Sequence, residues 1–268
     1  MPRVTSRQNP RLKELAGLLA SARDRRKSGR CVLEGEHIVG VYLDRGGRPD
    51  TVAVSDDALE RAGVRAILSR VHEQQVLVVP RRLFAELAAL PADVGILAVI
   101  ATPQPTVPEP AAFHLLLEDV QDPGNVGSML RSAAAAGVDQ VLLSRGCAFA
   151  WAPKTLRAAQ GAHFLTTIVE NVDLREWARS FRQRGGRIVA SVVASGRSVY
   201  DCRLDGPIAV VVGNEGGGLS DALLACADTR ATIPMPGGME SLNAAAAAAV
   251  MLFESVRQRQ ARKSDPAA

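Results

Sequence analysis

Apolar positions recur at two spacings along this 268-residue chain. Leu12, Leu15, Leu18 and Leu19 repeat at the three-to-four interval of an amphipathic helix, and strand-length apolar runs then follow at 31–33, 51–54, 76–79 and 96–100. Helical patterns fill the gaps, including 58–69 and 81–90. The result expected for this half is a small α/β domain behind a leading helix. Further along, apolar runs at 113–117, 141–143, 164–169, 187–193, 208–212 and 231–233 alternate with amphipathic stretches such as 126–136 and 174–184. Strands alternating with helices predict a parallel sheet covered on both faces. In such a sheet a ligand sits at the carboxyl ends of the strands.

Between the halves lies Thr102-Pro103-Gln104-Pro105-Thr106-Val107-Pro108-Glu109-Pro110. A run this rich in proline continues neither a helix nor a central strand, so it reads as a stiff linker. The expected organisation is therefore a domain over 1–102, a linker over 103–110, a second domain over 111–262 and a disordered tail over 263–268. The last helix, predicted from about residue 241 to 262, is alanine-rich, which favours helix and allows close approach of another one. No repeat of domain-building length is visible.

Composition narrows the class. Hydrophobic residues make up 47% and charged residues 22%, which excludes whole-chain disorder. No apolar run has the length needed to cross a bilayer, and the start lacks the apolar stretch of a secretory signal, so a cytoplasmic location is expected. Cys31, Cys147, Cys202 and Cys226 are far apart, without metal-ligand spacing, and are expected to be reduced, mostly buried side chains; no metal is expected. Net charge is only +4, yet it is uneven. Arg3, Arg7, Arg11, Lys13, Arg23, Arg25, Arg26, Lys27 and Arg30 face only Glu14 and Asp24 within residues 1–30. That basic segment suits a polyanion such as RNA, because cations beside phosphates release condensed counterions. The same charges could also serve only as a solvated terminus.

Three clusters exceed what a fold requires. Asp122-Pro123-Gly124-Asn125-Val126-Gly127-Ser128-Met129-Leu130-Arg131 leads from a strand into a helix whose first turns carry Asn125 and Arg131. Free amides at a helix start beside a guanidinium can hold a phosphate or a ribose hydroxyl, or Asn125 can be an N-cap alone. Val212-Gly213-Asn214-Glu215-Gly216-Gly217-Gly218-Leu219-Ser220 is a glycine loop with a carboxylate inside it, ending at a Ser220 cap. Glu215 would repel a pyrophosphate, so the loop suits a ligand with hydroxyls or a positive centre. Ile233-Pro234-Met235-Pro236-Gly237-Gly238-Met239-Glu240-Ser241-Leu242-Asn243 sets polar groups beside an apolar wall of Ile233, Met235 and Leu242. All three are expected to converge on one sheet edge around a pocket.

The pattern Asn125-x-Gly127-x-x-x-Arg131 with Gly137, then Gly213-x-Glu215-x-x-Gly218-Leu219, then Ile233-Pro234-Met235 through Ser241-Leu242-Asn243, resembles the three motifs of the SpoU (TrmH-type) RNA 2'-O-ribose methyltransferases of the SPOUT superfamily. Ser6-x-x-Asn9 with Lys13, Leu33-Glu34-Gly35 and the stretch 91–98 resemble the substrate-binding domain often joined to it. The resemblance implies S-adenosyl-L-methionine as cofactor, a deep trefoil knot in the C-terminal chain and a homodimer packed through it. It also implies Gly213, Asn214, Glu215, Gly216, Ile233, Pro234, Met235, Ser241, Leu242 and Asn243 as cofactor-binding residues. The reaction site would be Asn125, Arg131, Glu215, Ser241 and Asn243. RNA would be held by Arg7, Arg11, Lys13, Arg25, Arg26, Lys27 and Arg157. Where the family usually has Arg-Ala-Ser-x-Gly, this chain has Arg157-Ala158-Ala159-Gln160-Gly161, and the segment 151–163 is expected to be a loop facing RNA or a second subunit.

The implied chemistry is an in-line methyl transfer to a ribose 2'-oxygen, without a metal. Arginine is a poor base, so Arg131 reads better as an electrostatic clamp on the hydroxyl and its neighbouring phosphate, with the proton passing to that phosphate, to Glu215 or to water. His114 and His163 lie outside the motifs and read as structural. A dinucleotide-binding enzyme would need a Gly-x-Gly-x-x-Gly turn that 119–127 lacks, and a non-catalytic RNA-binding module would leave the polar pocket unexplained. Ribosomal RNA is the first substrate expectation and transfer RNA the second. Low aromatic content, 4%, argues against base stacking as the main recognition mode.

Overall fold

The computed structural model describes residues 1–87, 94–105 and 111–264, without the side chains of 263 and 264. It divides into two compact units, one formed by Met1–Gln104 with Trp151–Phe164 and the other by Pro105–Ala150 with Leu165–Ala268. Part of the proline-rich run, 106–110, and the predicted helical residues 88–90 lie outside the described residues.

The first unit begins with α1 (Pro10–Ala20), which starts where Asn9 accepts the Arg11 amide at 3.0 Å and Pro10 presets the first turn. Leu12, Leu15, Leu18 and Leu19 are buried, as their spacing predicts. A short α2 (Ala22–Ser28) ends at Gly29 in the left-handed region and hands over to β1 (Arg30–Glu34). Then come α3 (Glu36–Asp44), β2 (Thr51–Ser55), α4 (Ala62–Leu68), β3 (Val76–Val79), α5 (Arg81–Leu87) and β4 (Ile96–Ala101). The sheet order is β1-β4-β2-β3, antiparallel except for the β2/β3 pair. The single helix expected over 58–69 is instead a 3₁₀ turn at Asp56–Ala58 followed by α4, because the chain between them turns at 59–61.

In the second unit β5 (Phe113–Leu117), α6 (Pro123–Ala135), β6 (Gln140–Leu143), β7 (Thr167–Val169), α8 (Leu174–Gln183), β8 (Arg187–Ser191), β9 (Arg197–Ser198), β10 (Ile208–Val212), α9 (Asp221–Leu224), β11 (Thr229–Thr232) and α10 (Ala244–Ser264) follow in order. All seven strands are parallel, in the order β7-β6-β5-β10-β8-β11-β9. The buried strands and the covering helices match the expected doubly covered sheet. Leu174, Ala178 and Phe181 of α8 pack on Leu116, Ile188, Ala209 and Val211, while α10 packs on α6, β10 and β8. Three boundaries move. Phe164 belongs to a 3₁₀ turn, so β7 starts only at Thr167; β8 stops at Ser191; and α10 runs on through Ser264, so Lys263 and Ser264 are helical rather than tail.

The segment expected to be an exposed loop is α7 (Pro153–Ala159), packed on β1 in the first unit. Ala159 is fully buried there, and Arg157 pairs at 3.2 Å with Glu34, whose side chain is 1% exposed. Burial pushes the Glu34 carboxyl up, and the Arg157 guanidinium opposes that rise.

The four cysteines are free; Cys31, Cys202 and Cys226 are buried and Cys147 is partly so. No helix among the described residues is long and apolar enough to cross a membrane.

Asp205 anchors the far end of α10. Its carboxylate accepts from Arg203 at 2.8 Å, Arg187 at 3.1 Å and Arg262 at 2.6 Å. Burial alone would raise its pKa, but the bonds and charges of Arg203 and Arg262 win and hold it at about 2. A depressed carboxylate stabilises the fold above its unfolded pKa of about 3.8, and that share is lost as pH falls toward about 2. Because Arg203 and Arg262 are half exposed, the share is about 1–2 kcal/mol. Asp205→Asn is therefore expected to lower stability by that amount at pH 7 and to flatten the pH dependence of unfolding between pH 4 and 2, read from urea midpoints.

Candidate active site

Three neighbouring strand ends of the second unit open on one side of the sheet. Beyond β8, β10 and β11, the chain lines a cavity of about 350 Å³ with Ser191, Val192, Val193, Val212, Gly213, Asn214, Glu215, Gly218, Ile233 and Met235. Glu240, Ser241, Leu242 and Asn243 close it from the approach to α10. That volume is typical of a small-molecule site.

The glycine loop is shaped by Asn214. Its backbone exchanges two 3.0 Å bonds with Gly218, and its Oδ1 accepts the amides of Gly216 at 2.9 Å and Gly217 at 2.8 Å. Its Nδ2 donates at 2.9 Å to the carbonyl of Asp119, at the end of β5. Glu118 ties down the loop's exit by accepting from the Ser220 amide at 2.7 Å and hydroxyl at 2.6 Å. At Gly213 a Cβ would stand 2.3 Å from the Gly218 carbonyl oxygen, so only glycine lets the loop close.

A chain of side-chain bonds joins the three clusters. The Asn125 Nδ2 donates to Glu215 at 2.9 Å, and the Asn125 Oδ1 accepts from the Asn243 Nδ2 at 3.0 Å. Asn243 in turn accepts the amides of Ala245 at 2.9 Å and Ala246 at 3.3 Å, which makes it the cap of α10. The cap of α6 is Asp122, accepting the Asn125 amide at 2.8 Å, so Asn125 is not an N-cap and is free to bridge. Glu215 also accepts the amides of Gln121 and Asp122. Burial would raise its pKa; the donated bonds, led by that of Asn125, outweigh burial and hold it below the ordinary carboxylate range. The cavity wall thus carries a fixed negative charge beside apolar surface.

Most residues expected at the site are there. Gly213, Asn214, Glu215, Ile233, Met235, Ser241, Leu242 and Asn243 line the cavity and Asn125 is bonded to its wall; Gly216 and Pro234 belong to the same loops without lining it. Arg131 lies further off. α6 starts at Pro123, which puts Arg131 in its third turn, where it is exposed and does not line the cavity. Six residues also carry it about 240° around the helix from Asn125. His114 stands at the amino end of β5, away from the cavity, edge-on to Trp177 and Phe181 at 4.8 Å each, and burial lowers its pKa. His163 packs against Trp151 in the first unit. Both sit as structural histidines. Glu118, Asp119, Asp122, Ser191, Val192 and Glu240 were not singled out from sequence; the Glu-Asp pair directly after a strand that faces a glycine loop was the available signal.

The cations expected to hold RNA divide. Lys13, Arg26 and Lys27 are exposed, and Arg7 is exposed and paired with Glu86. Arg25 is buried, donating to the carbonyls of Leu18 and Leu19, and Arg11 donates to Thr51 and to the carbonyls of Gln74 and Gln75. With Arg157 on Glu34, these three guanidiniums hold the fold.

The arrangement has relatives. Residues 112–253 match the SpoU rRNA Methylase family, and residues 9–98 match the MRM3-like substrate binding domain. A 23S rRNA (guanosine(2553)-2'-O)-methyltransferase, RlmP of Bacillus subtilis, is 31% identical over 94% of this chain and 98% of its own. An uncharacterised tRNA/rRNA methyltransferase of Synechocystis is 31% identical over 96% of this chain and 94% of its own. Among solved structures, the SpoU methyltransferase AviRb from Streptomyces viridochromogenes in complex with AdoMet superposes with a TM-score of 0.82 at 27% identity, covering 94% of this chain and 98% of that one. The three motifs, the all-parallel sheet and these matches agree: the chain belongs to the SpoU rRNA methylase family.

Proposed function

We propose that this protein transfers a methyl group from S-adenosylmethionine to a ribose 2'-hydroxyl of ribosomal RNA. The observation that carries the reading is the bonded series Glu215, Asn125, Asn243, which draws all three motif loops around one cavity. The cavity fits that cofactor. Gly213 leaves bare backbone at the wall, Ile233, Met235 and Leu242 offer apolar surface, and Glu215 and Glu240 suit a positively charged ligand. Gly213, Ile233 and Leu242 would hold it largely through backbone groups, with Asn214, Glu215, Gly216, Pro234, Met235, Ser241 and Asn243 around it. When bound, it supplies an electrophilic methyl group on a sulfonium.

The protein's own residues then have separable tasks. Glu215, kept ionised by its donors, places negative charge at the wall and is a weak base, so proton removal falls to the RNA phosphate or to water. Asn125 and Asn243 position the wall. Arg131, exposed on α6, clamps the hydroxyl and the adjacent phosphate; a guanidinium is a fixed cation, suited to that and not to accepting a proton. Lys13, Arg26, Lys27 and Arg7 hold RNA through phosphates. Ribosomal RNA is favoured over transfer RNA by the family matched and by the Bacillus relative.

The same reading includes a cytoplasmic protein, a trefoil knot and a homodimer through the second unit. It is supported by the insertion of β10 between β5 and β8, by α10 lying on α6, and by Phe253, which is 48% exposed on α10. Phe253→Glu is expected to halve the mass seen by light scattering, from twice to once 28.4 kDa, with the circular dichroism spectrum unchanged; a parent already monomeric refutes the dimer. The function itself is tested by transfer of labelled methyl from S-adenosylmethionine to protein-free ribosomal RNA, followed by mapping of ribose methylation. Calorimetry showing no binding of S-adenosylmethionine or its demethylated product would overturn it.

A further inference from the structure

We infer that the outer flank of α8 is a track for the RNA phosphate backbone, leading to the reaction edge through the groove at Arg145. The inference rests on the RNA methyltransferase reading and adds a contact surface outside the motifs. Arg175, Arg179 and Arg182 fall at i, i+4 and i+7, which puts all three within about 60° of one another around the helix and spreads them over about 10 Å. All three are exposed. The apolar flank lies about 100° around the helix from the stripe, with Leu174, Ala178 and Phe181 buried on the sheet.

Nothing in the fold asks for this segregation. Arginines at i, i+4 and at i, i+3 repel one another and weaken the helix that bears them. Glu176 lies on the same helix but at the edge of the stripe, about 100° from Arg175, and the carboxylate of Asp173 caps the helix by accepting the Glu176 amide at 3.0 Å. Among the described residues, Arg182 alone of the three is paired, with Asp228 at 2.8 Å. A repeat of like charges kept on a solvent face is what a strand of phosphates neutralises.

The track adjoins the glycine loop of the candidate active site. Arg175 and Arg145 line one groove together with Glu118, Asp119, Ser144, Asp173 and Ser220. Arg179 and Arg182 line the next hollow along, with Gly186 and Asp228. The acidic groups of the groove are held by donors: Glu118 by Ser220, Asp119 by the Ser144 hydroxyl at 2.5 Å. Asp119 and Glu118 are also the residues that fix the loop of Asn214 and Ser220, so a strand lying in this groove borders that loop.

The test is the triple variant Arg145→Gln, Arg175→Gln, Arg179→Gln, which spares the paired Arg182. Binding of protein-free large-subunit ribosomal RNA is measured as a function of salt, alongside calorimetry with S-adenosylmethionine. The expected result is a fall in RNA affinity of at least tenfold and a salt slope shallower by about 2, since each lost phosphate contact removes about 0.7–0.9. Cofactor affinity stays at the parent value, and the corresponding triple lysine variant keeps most of the RNA affinity. An RNA affinity and salt slope equal to the parent's overturns the track, whether the stripe then serves a protein partner or none. Failure of the underlying reading looks different: the parent itself would then bind no S-adenosylmethionine.

Discussion

Gly213→Ala is expected to remove cofactor binding while leaving the protein folded. The obstacle is space, not backbone conformation, because Gly213 does not occupy the left-handed region. An added Cβ would lie 2.3 Å from the Gly218 oxygen, 2.4 Å from its carbonyl carbon and 2.6 Å from the Leu219 nitrogen. These are backbone atoms that cannot rotate aside, so the loop itself must open. Opening breaks the paired 3.0 Å bonds between Asn214 and Gly218 and pulls Asn214 from the Gly216 and Gly217 amides. Glu215 follows, since it is the next residue in the loop. The dissociation constant for S-adenosylmethionine should rise at least 100-fold, a loss of about 2.7 kcal/mol. Gly216→Ala, three residues along, is the control. There a Cβ meets only the Asn214 Oδ1, at an ordinary 3.7 Å, and binding should stay within a few-fold of the parent. Calorimetry on both variants decides the matter, and equal losses at the two positions would show that loop closure at Gly213 is not what binding requires.

That contrast marks how far the chain could be read without coordinates. Alternating apolar runs and amphipathic stretches located every strand of both sheets except the two-residue β9, because strands buried on both faces read as apolar segments. The motif loops declared themselves through glycine, proline and small polar residues at strand ends. Which polar residue caps each helix was not legible: Asp122 takes that place ahead of Asn125 at α6, and Asn243 takes it at α10, through geometry set by tertiary contacts. Those two choices decide the chemistry, since a capped helix start frees Asn125 to bridge Glu215 and Asn243.

Charge counting along the sequence has a similar blind spot. It cannot separate an arginine that meets solvent from one folded inward against carbonyls. Arg25 and Arg11 both sit in the basic leading segment, yet each spends its guanidinium on backbone oxygens of the first unit. Arg157 was read as facing a ligand because α7 was read as a loop, whereas β1 and the buried Glu34 hold it. The α8 stripe has its spacing in the sequence, but spacing alone does not set it apart from an ordinary solvated helix face.

Asn125→Asp should convert the central bond of the site into a pH switch. In the parent the amide nitrogen of Asn125 donates to Glu215 at 2.9 Å. Aspartate is nearly the same shape and sets a second carboxyl oxygen against the first. Two carboxylates at that distance resist ionising together, so over a wide pH range the pair shares a proton and its upper apparent pKa rises well above the ordinary carboxylate range. Below that value the shared proton restores the bridge; above it, both groups are charged, and the contribution to stability and to rate is lost as pH rises. The parent behaves in the opposite sense, because the depressed pKa of Glu215 keeps its bonds intact down through the carboxylate range and surrenders them only as pH falls below it. Methyl transfer by the variant at pH 8 is expected to fall by 10²–10³, equivalent to about 3–4 kcal/mol, and to recover tenfold or more between pH 8 and pH 5.5, where the parent's rate does not rise. Asn125→Ala, which removes the donor without adding a charge, should lose activity by a similar factor and show no such recovery. A variant aspartate whose deficit is the same at every pH would mean that Asn125 and Glu215 are not coupled in the working enzyme, and that the bridge between the first and second motif loops is not what shapes the reaction site.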